Sequence, residues 1–128
     1  MYKLIKVSLI ISLVLALYSC QKESVKARNT LIGRYSALMT YTNDLGTPPY
    51  TRVDTFEFTK DKKDKELIIY NTNIEMIYLD KDTFAFQGSG YWSLKVHIKD
   101  ENQIDIHYKF SASSGFSDYG EGLGIRIP

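Results

Sequence analysis

Two histidines and an aspartate are the side chains that come closest, by type and spacing, to a catalytic or metal-binding site. His97 lies in a segment that alternates apolar and polar residues, and Asp105 and His107 lie in the next such segment. If the two segments pair as neighbouring strands, His97 faces Asp105 on the polar side of the sheet. A histidine beside a carboxylate is part of the arrangement that activates a nucleophile.

The surroundings of these residues do not complete either chemistry. Zinc needs three or four converging ligands, and the predicted pairing supplies two exposed histidines and one carboxylate. No serine lies in a G-x-S-x-G turn, since Gly88-Ser89-Gly90 is a simple turn between strands. We therefore expect no catalytic residue, no metal and no cofactor. A hydrolase that uses His97 and Asp105 is the less favoured alternative.

A glycine-rich stretch, Gly120-Glu121-Gly122-Leu123-Gly124, is the one candidate for a phosphate-binding loop. Such loops open a helix, whereas this stretch precedes a short terminal strand. The glycines are expected to let the chain turn into that last strand. Phosphate and dinucleotide binding are therefore not predicted.

Cys20 is the only cysteine of the chain, so the fold has no intramolecular disulfide. It follows a basic start, with Lys3 and Lys6, and an apolar run over residues 7–17. A basic start, an apolar run and a small residue before the cleavage point are the plan of a secretory signal peptide. The run is too short to span a membrane as a helix.

The stretch Leu17-Tyr18-Ser19-Cys20 resembles the lipobox of bacterial lipoproteins, which has an apolar residue three before the cysteine and a small residue just before it. Tyr18 departs from the small residue usual there, which implies slower cleavage. The resemblance implies removal of residues 1–19 and lipidation of Cys20, so that acyl chains make the membrane a partner. Since one acyl chain binds at only about 10⁴ M⁻¹, stable anchoring needs a second.

Residues 20–30 are expected to be the lipidated cysteine and a flexible linker. Within them, Gln21-Lys22-Glu23-Ser24 resembles the surface-export signal of Bacteroidota lipoproteins. The resemblance implies the cell envelope, anchored in the outer membrane and displayed on its surface, with the periplasmic face as the alternative.

Charge and length limit the partners of the chain that remains after cleavage, residues 20–128, in which residues 31–128 are expected to form the domain. The chain of 128 residues has 16 basic and 15 acidic side chains, and loss of residues 1–19 leaves 14 basic against 15 acidic. A near-neutral domain offers no electrostatic basis for binding nucleic acid. A chain of this length forms one domain.

Period-two alternation, broken every eight to twelve residues by turn-forming residues, predicts an all-β fold. The predicted strands cover residues 32–42, 52–60, 66–71, 74–79, 83–87, 91–99, 103–111 and 123–127, with one long loop over 111–122.

The sixth and seventh strands also predict their own register, because a slip by one residue would expose one apolar face. The predicted pairs are Ile98 with Ile104, Val96 with Ile106, Leu94 with Tyr108, Trp92 with Phe110, His97 with Asp105 and Lys95 with His107.

Eight short strands predict a single antiparallel meander closed as a small barrel, which leaves no exposed edge; a β-sandwich is the alternative. Gly33-Arg34-Tyr35 resembles the Gly-x-Trp opening of lipocalin-like barrels, with Tyr35 in place of the tryptophan. In that family a basic residue near the barrel's end packs over the tryptophan. The resemblance implies that Tyr35 and Arg126 form a pair that closes the barrel.

Three aromatic residues in predicted loops, Tyr50, Phe116 and Tyr119, are the candidates for contact with a partner. Exposed aromatics give a large contact area at low entropic cost; the alternative is that they cover the open end of the barrel. We expect a lipid-anchored, non-enzymatic binding module that contacts a small apolar ligand, a glycan or a protein through its barrel mouth or loops. An envelope inhibitor or structural accessory protein is the alternative.

Overall fold

A short helix precedes eight antiparallel strands in the part of the chain that the computed structural model describes, which is residues 6, 10, 11, 22–64, 68–71, 73–87 and 92–128. Cys20 and most of the expected signal peptide lie outside these residues. Among the described residues, no helix has the length and hydropathy needed to cross a membrane. The elements are α1 (Glu23–Leu31), β1 (Gly33–Asn43), β2 (Tyr50–Lys60), β3 (Ile68–Tyr70), β4 (Ile74–Tyr78), β5 (Thr83–Gln87), β6 (Trp92–Ile98), β7 (Gln103–Ser111) and β8 (Ser117–Ile127).

Each strand pairs with the next, and β8 returns to pair with β1, so the sheet is a closed eight-stranded barrel. The predicted fold class is confirmed, and the β-sandwich alternative is wrong. The register predicted for β6 and β7 is also confirmed at every pair. Closure satisfies the backbone hydrogen bonds that an open sheet leaves at its edges.

Alternate residues of the strands point into the barrel and fill it. On β1 the inward side chains of Tyr35, Ala37 and Met39 are fully buried. The other strands follow the same period of two, and their buried core residues are Phe56, Phe58, Ile68, Met76, Phe84, Leu94, Val96, Ile98, Ile104 and Ile106.

The last strand is longer than predicted, and the long loop predicted over residues 111–122 is wrong. Only residues 112–116 connect β7 to β8. Gly120, Gly122 and Gly124 lie inside the strand, at the inward positions opposite Tyr41, Met39 and Ala37 of β1. Because glycine has no side chain, the alternation that marks a strand is invisible in this stretch.

These glycines are required by space rather than by a turn. A Cβ atom on Gly122 would lie 2.5 Å from the Leu38 carbonyl oxygen and 2.7 Å from the Met39 sulfur. A Cβ on Gly124 would lie 2.8 Å from Cγ1 of Ile104, a fully buried core residue. Close approach without a side chain is the usual reason for glycine inside a strand.

The flexible linker expected over residues 20–30 is wrong for residues 23–30, which belong to α1 (Glu23–Leu31). Ala27 and Leu31, four residues apart and therefore on one face of the helix, are buried in the barrel core, and Arg28 is buried beside them. A helix of nine residues is marginal by itself and depends on tertiary packing. With only two buried apolar residues, the segment shows too little helical periodicity for α1 to be predicted from sequence.

Arg126 joins this helix to the barrel. Its Nη1 and Nη2 atoms donate to the carbonyls of Ile32 (2.7 Å) and Thr30 (2.5 Å), and its Nε donates to the Glu101 carbonyl (2.8 Å) in the β6–β7 turn. Nη2 also donates to the Tyr35 hydroxyl (2.6 Å), and the guanidinium lies 4.8 Å from the centre of the Tyr35 ring. The structure thus brings together the two residues that the family resemblance paired.

Gly33 makes room for this arginine. It has a φ of +142°, and a Cβ atom there would lie 2.2 Å from Nη1 of Arg126. Both the backbone conformation and the contact exclude a larger residue.

Replacing Arg126 by methionine should lower the free energy of unfolding by about 3 kcal/mol, because the change removes charge-assisted hydrogen bonds and leaves part-buried carbonyls without a donor. Urea unfolding followed by circular dichroism measures the loss. The control is Arg34→Met, whose exposed guanidinium makes only a 3.5 Å hydrogen bond to the Pro128 carbonyl and should change stability by about 0.5 kcal/mol or less. Equal losses in the two variants would contradict the role given to Arg126.

Candidate functional site

The two ends of the barrel differ. At one end, which we call the closed end, α1 packs on the core and Arg126 holds it in place. At the other end, where β1 stops and β2 and β8 begin, a cavity of about 370 Å³ opens to solvent. We call this the mouth cavity. Its aromatic lining consists of Tyr41, Tyr50, Phe56, Tyr70, Trp92 and Tyr108, and its charged lining of Arg52, Asp54 and Asp118.

The inward face of β2 changes character along its length. Phe58 and Phe56 are buried in the core, and the next inward positions towards the mouth are Asp54, Arg52 and Tyr50. Because side chains alternate along a strand, these polar residues point into the barrel rather than away from it. The strand therefore places an ion pair on the wall of the mouth cavity.

The ion pair is held in a defined geometry. Arg52 donates from Nε to Oδ1 of Asp54 (2.8 Å) and from Nη2 to Oδ2 (3.2 Å), the two-pronged contact that suits a guanidinium and a carboxylate. The Tyr41 hydroxyl donates a hydrogen bond to the same Oδ2 atom. The Arg52 guanidinium lies 5.1 Å from the centre of the Tyr41 ring. Both oxygens of Asp54 thus have partners.

Aromatic rings surround this cluster. Tyr50 stacks on Tyr41, with ring centres 5.2 Å apart and an interplanar angle of 20°. The ring centres of Trp92 and Tyr108 are 6.5 Å apart, and those of Tyr70 and Phe56 are 5.9 Å apart. Stacked and offset rings of this kind stabilise one another, so they form a preformed apolar wall.

Three tyrosines of the mouth cavity, Tyr41, Tyr70 and Tyr108, have a raised pKa. Burial, followed by the hydrogen bond and the charge of Asp54, raises the pKa of Tyr41 from 10.0 to about 12. Burial and then Asp54 raise the pKa of Tyr70, while burial and then Asp118 raise the pKa of Tyr108. Burial is the larger cause of each raised pKa, and the negative charge of the nearby carboxylate adds to it.

The three aromatics predicted to contact a partner are separated in the structure. Tyr50 lines the mouth cavity and is 55% exposed. Tyr119 lies on the outer face of β8, 39% exposed, with Nζ of Lys109 at 5.7 Å from its ring centre. Phe116 lies at the end of the β7–β8 turn and is not part of the cavity lining.

Sequence analysis missed Tyr41, Arg52 and Asp54. The signal was available, since Tyr50, Arg52 and Asp54 occupy the same alternate positions as Phe56 and Phe58. Charged residues at the inward-facing positions of a strand indicate either the end of the strand or a polar site in the interior.

The histidines lie on the outer face, away from the mouth cavity. His97 is opposite Asp105 in the register, as predicted, but its Nδ1 atom lies 3.0 Å from Oγ1 of Thr83. Nδ1 of His107 is 4.0 Å from a Glu121 carboxylate oxygen. Within the described part of the chain, no group of three or more histidine, cysteine or acidic residues could hold a metal ion.

No protein-family model and no curated protein sequence matches the chain. Among solved structures, the chain is similar to a redesigned β-barrel, with 15% identity, a TM-score of 0.46, and coverage of 80% of this chain and 96% of that one. It is also similar to an S-type phycobiliprotein lyase from Guillardia theta, with 9% identity, a TM-score of 0.44, and coverage of 84% and 98%. At these identities the likeness is confined to the fold.

The raised pKa of Tyr41 has a consequence for stability in alkali. Because the folded state holds the proton more tightly than the unfolded chain, this contribution is complete below pH 10 and disappears as the pH rises towards about 12. The urea midpoint of the wild type should fall across this window, and the fall should be shallower for Tyr41→Phe. Tyr119→Phe, on the outer face, should keep the wild-type slope. Identical slopes for the wild type and Tyr41→Phe would contradict the assignment.

Proposed function

We propose that the protein is a non-enzymatic, lipid-anchored binding module of the cell envelope that takes a small ligand into its mouth cavity. The observation that carries the proposal is the cavity itself, about 370 Å³ in volume and walled by six aromatic side chains. This volume lies at the lower end of the range for small-molecule sites, which are mostly apolar with a few placed polar groups. Arg52, Asp54 and Asp118 are those polar groups here.

The filled interior limits the ligand. Below the cavity, Phe58, Phe84 and Ile106 are fully buried and occupy the barrel. Small barrels are commonly filled by their own side chains in this way. The ligand we propose is therefore small and remains near the mouth rather than threading through the barrel.

The contacts of His97 and Asp105 favour binding over hydrolysis. His97 is engaged with Thr83, and Nζ of Lys99 lies 4.0 Å from Asp105. Both residues lie on the outer face, outside the mouth cavity. A catalytic histidine should lie beside the pocket that holds its substrate.

The anchor at Cys20 remains a proposal based on the lipobox resemblance. Helix α1 begins at Glu23, three residues after Cys20, and packs on the closed end of the barrel. This spacing supports a membrane on the side of the closed end and a mouth that faces away from it. The resemblance of Gln21-Lys22-Glu23-Ser24 to an export signal supports the outer membrane, with surface display.

A row of exposed apolar residues on the outer face favours contact with an envelope protein as a second candidate function. Leu38 of β1 is paired with Val53 of β2 on one side and with Leu123 of β8 on the other, and Ile125 lies further along β8. All four side chains are exposed. Contiguous exposed apolar patches often mark interaction sites.

A native mass spectrum of the purified chain, after incubation with an envelope extract of its own cells, tests the first candidate. We expect a small added mass that disappears on denaturation, together with a change in the fluorescence of Trp92, the only tryptophan of the chain. Tyr50→Ala should weaken binding about tenfold, since loss of a stacked ring removes roughly 1–2 kcal/mol of contact.

Tyr119→Ala is the matched control, because it removes another exposed tyrosine from the outer face. It should bind as the wild type does. A bare mass with unchanged Trp92 fluorescence would contradict ligand binding at the mouth. An added mass of protein size would instead support the second candidate.

Palmitate labelling of growing cells tests the anchor. The wild type should carry label, and Cys20→Ala should carry none, because the thioether forms on the cysteine sulfur. Tyr18→Ala restores the small residue usual at that position and should label at least as fast as the wild type. Label that persists in Cys20→Ala would refute the anchor while leaving the mouth cavity unaffected.

A further inference from the structure

We propose that the mouth cavity selects an organic cation, with an ammonium group held between aromatic ring faces and the carboxylate of Asp118. This inference rests on the proposed function, since it names the chemical class of the ligand that would enter the same cavity. It is carried by the charges, the rings and the existing contacts of the mouth.

The charged lining is unbalanced. Arg52 supplies one positive charge, and Asp54 and Asp118 supply two negative ones. Arg52 and Asp54 compensate each other through their two-pronged contact. Within the described residues, the carboxylate of Asp118 has no ion pair and no side-chain hydrogen bond. The charge that remains for a ligand is therefore negative.

The ring faces add to this preference. The face of an aromatic ring is the negative part of its quadrupole, so it attracts cations and repels anions. Trp92, the strongest of such groups, lines the cavity together with Tyr50 and Tyr108. A carboxylate ligand would meet these rings and Asp118. It would find only the part of the Arg52 guanidinium that Asp54 does not occupy.

The wall of the cavity already holds one cationic side chain in this manner. The Arg52 guanidinium lies over the ring of Tyr41 while the Asp54 carboxylate holds its edge. On the other strands of the mouth, Asp118 is the second residue of β8 and Tyr108 lies near the end of β7, which gives a second carboxylate and a second ring. The pKa of Tyr108, raised by burial and then by Asp118, is consistent with a negative potential at that ring.

Three probes of matched shape and different charge test the proposal: choline, its uncharged carbon analogue dimethylbutanol, and the dimethylbutanoate anion. Binding to the purified full chain is measured by titration calorimetry at low ionic strength and by Trp92 fluorescence. Choline should bind roughly tenfold more tightly than dimethylbutanol, the difference expected for a cation over ring faces in a partly desolvated site. Dimethylbutanoate should bind most weakly.

Asp118→Asn should weaken choline binding about fivefold, the scale of one exposed charge pair, and leave dimethylbutanol binding unchanged. Asp105→Asn makes the same change of charge on the outer face and should leave all three affinities unchanged. The comparison of probes on the wild type needs no variant, so a failure of Asp118→Asn to fold would not prevent the test.

Equal affinities for choline and dimethylbutanol would overturn the preference for a cation while leaving the mouth cavity as a binding site. Tightest binding of dimethylbutanoate would overturn it in favour of Arg52 as an anion site. Failure of all three probes to bind would also overturn it. The proposed function is then decided separately by the native mass spectrum with the envelope extract.

Discussion

The pairing of β8 with β1 is the constraint on which the rest of the structure depends. It runs from Arg34 opposite Ile127 to Asn43 opposite Asp118, and it converts an eight-stranded meander into a barrel without edges. Gly120, Gly122 and Gly124 occupy inward positions of β8 at which a Cβ atom would lie 2.5–2.8 Å from atoms of Tyr41, Leu38 or Ile104. Closure thus depends on the absence of atoms at three positions as much as on any contact.

The same pair of strands makes the two ends of the barrel different. At one end, Arg126 of β8 donates to the Tyr35 hydroxyl of β1, to the carbonyls of Thr30 and Ile32 at the end of α1, and to the Glu101 carbonyl in the β6–β7 turn. A single guanidinium thus satisfies groups from three segments of the chain. A part-buried charge is tolerated when its hydrogen-bonding capacity is met. At the other end, no residue in the described part of the chain crosses the opening in this way, and the inward positions of β2 become polar.

The polar mouth follows from the same physics as the apolar core. Asp54 and Arg52 lie in the inward phase of β2, yet both their charges are compensated and water still reaches them, since the Arg52 side chain is 61% exposed. Deeper in the barrel, the same pair would lose its solvation with little to compensate it. On the inward face of β2, the charged pair therefore lies near the opening, where a ligand can also enter.

Much of the barrel could be predicted from sequence because its signals are local. Alternation along β6 and β7 was enough to predict their register, including the position of His97 opposite Asp105. Turn residues marked most of the strand ends. The prediction failed where local signals are absent or ambiguous: the glycines of β8 hide its alternation, and α1 has only Ala27 and Leu31 to mark its buried face.

The sequence by itself determined the all-β class, the register of the central hairpin, and the pairing of a first-strand tyrosine with a last-strand arginine that the family resemblance implied. The tertiary structure alone decided that α1 packs on the closed end, that Tyr50 lines the cavity while Tyr119 does not, and that Tyr41, Arg52 and Asp54 meet at the mouth. The physical reason is the sequence separation over which each signal acts. Alternation and turn chemistry act between neighbouring residues, whereas a cavity is formed by residues from strands that only closure of the barrel brings together.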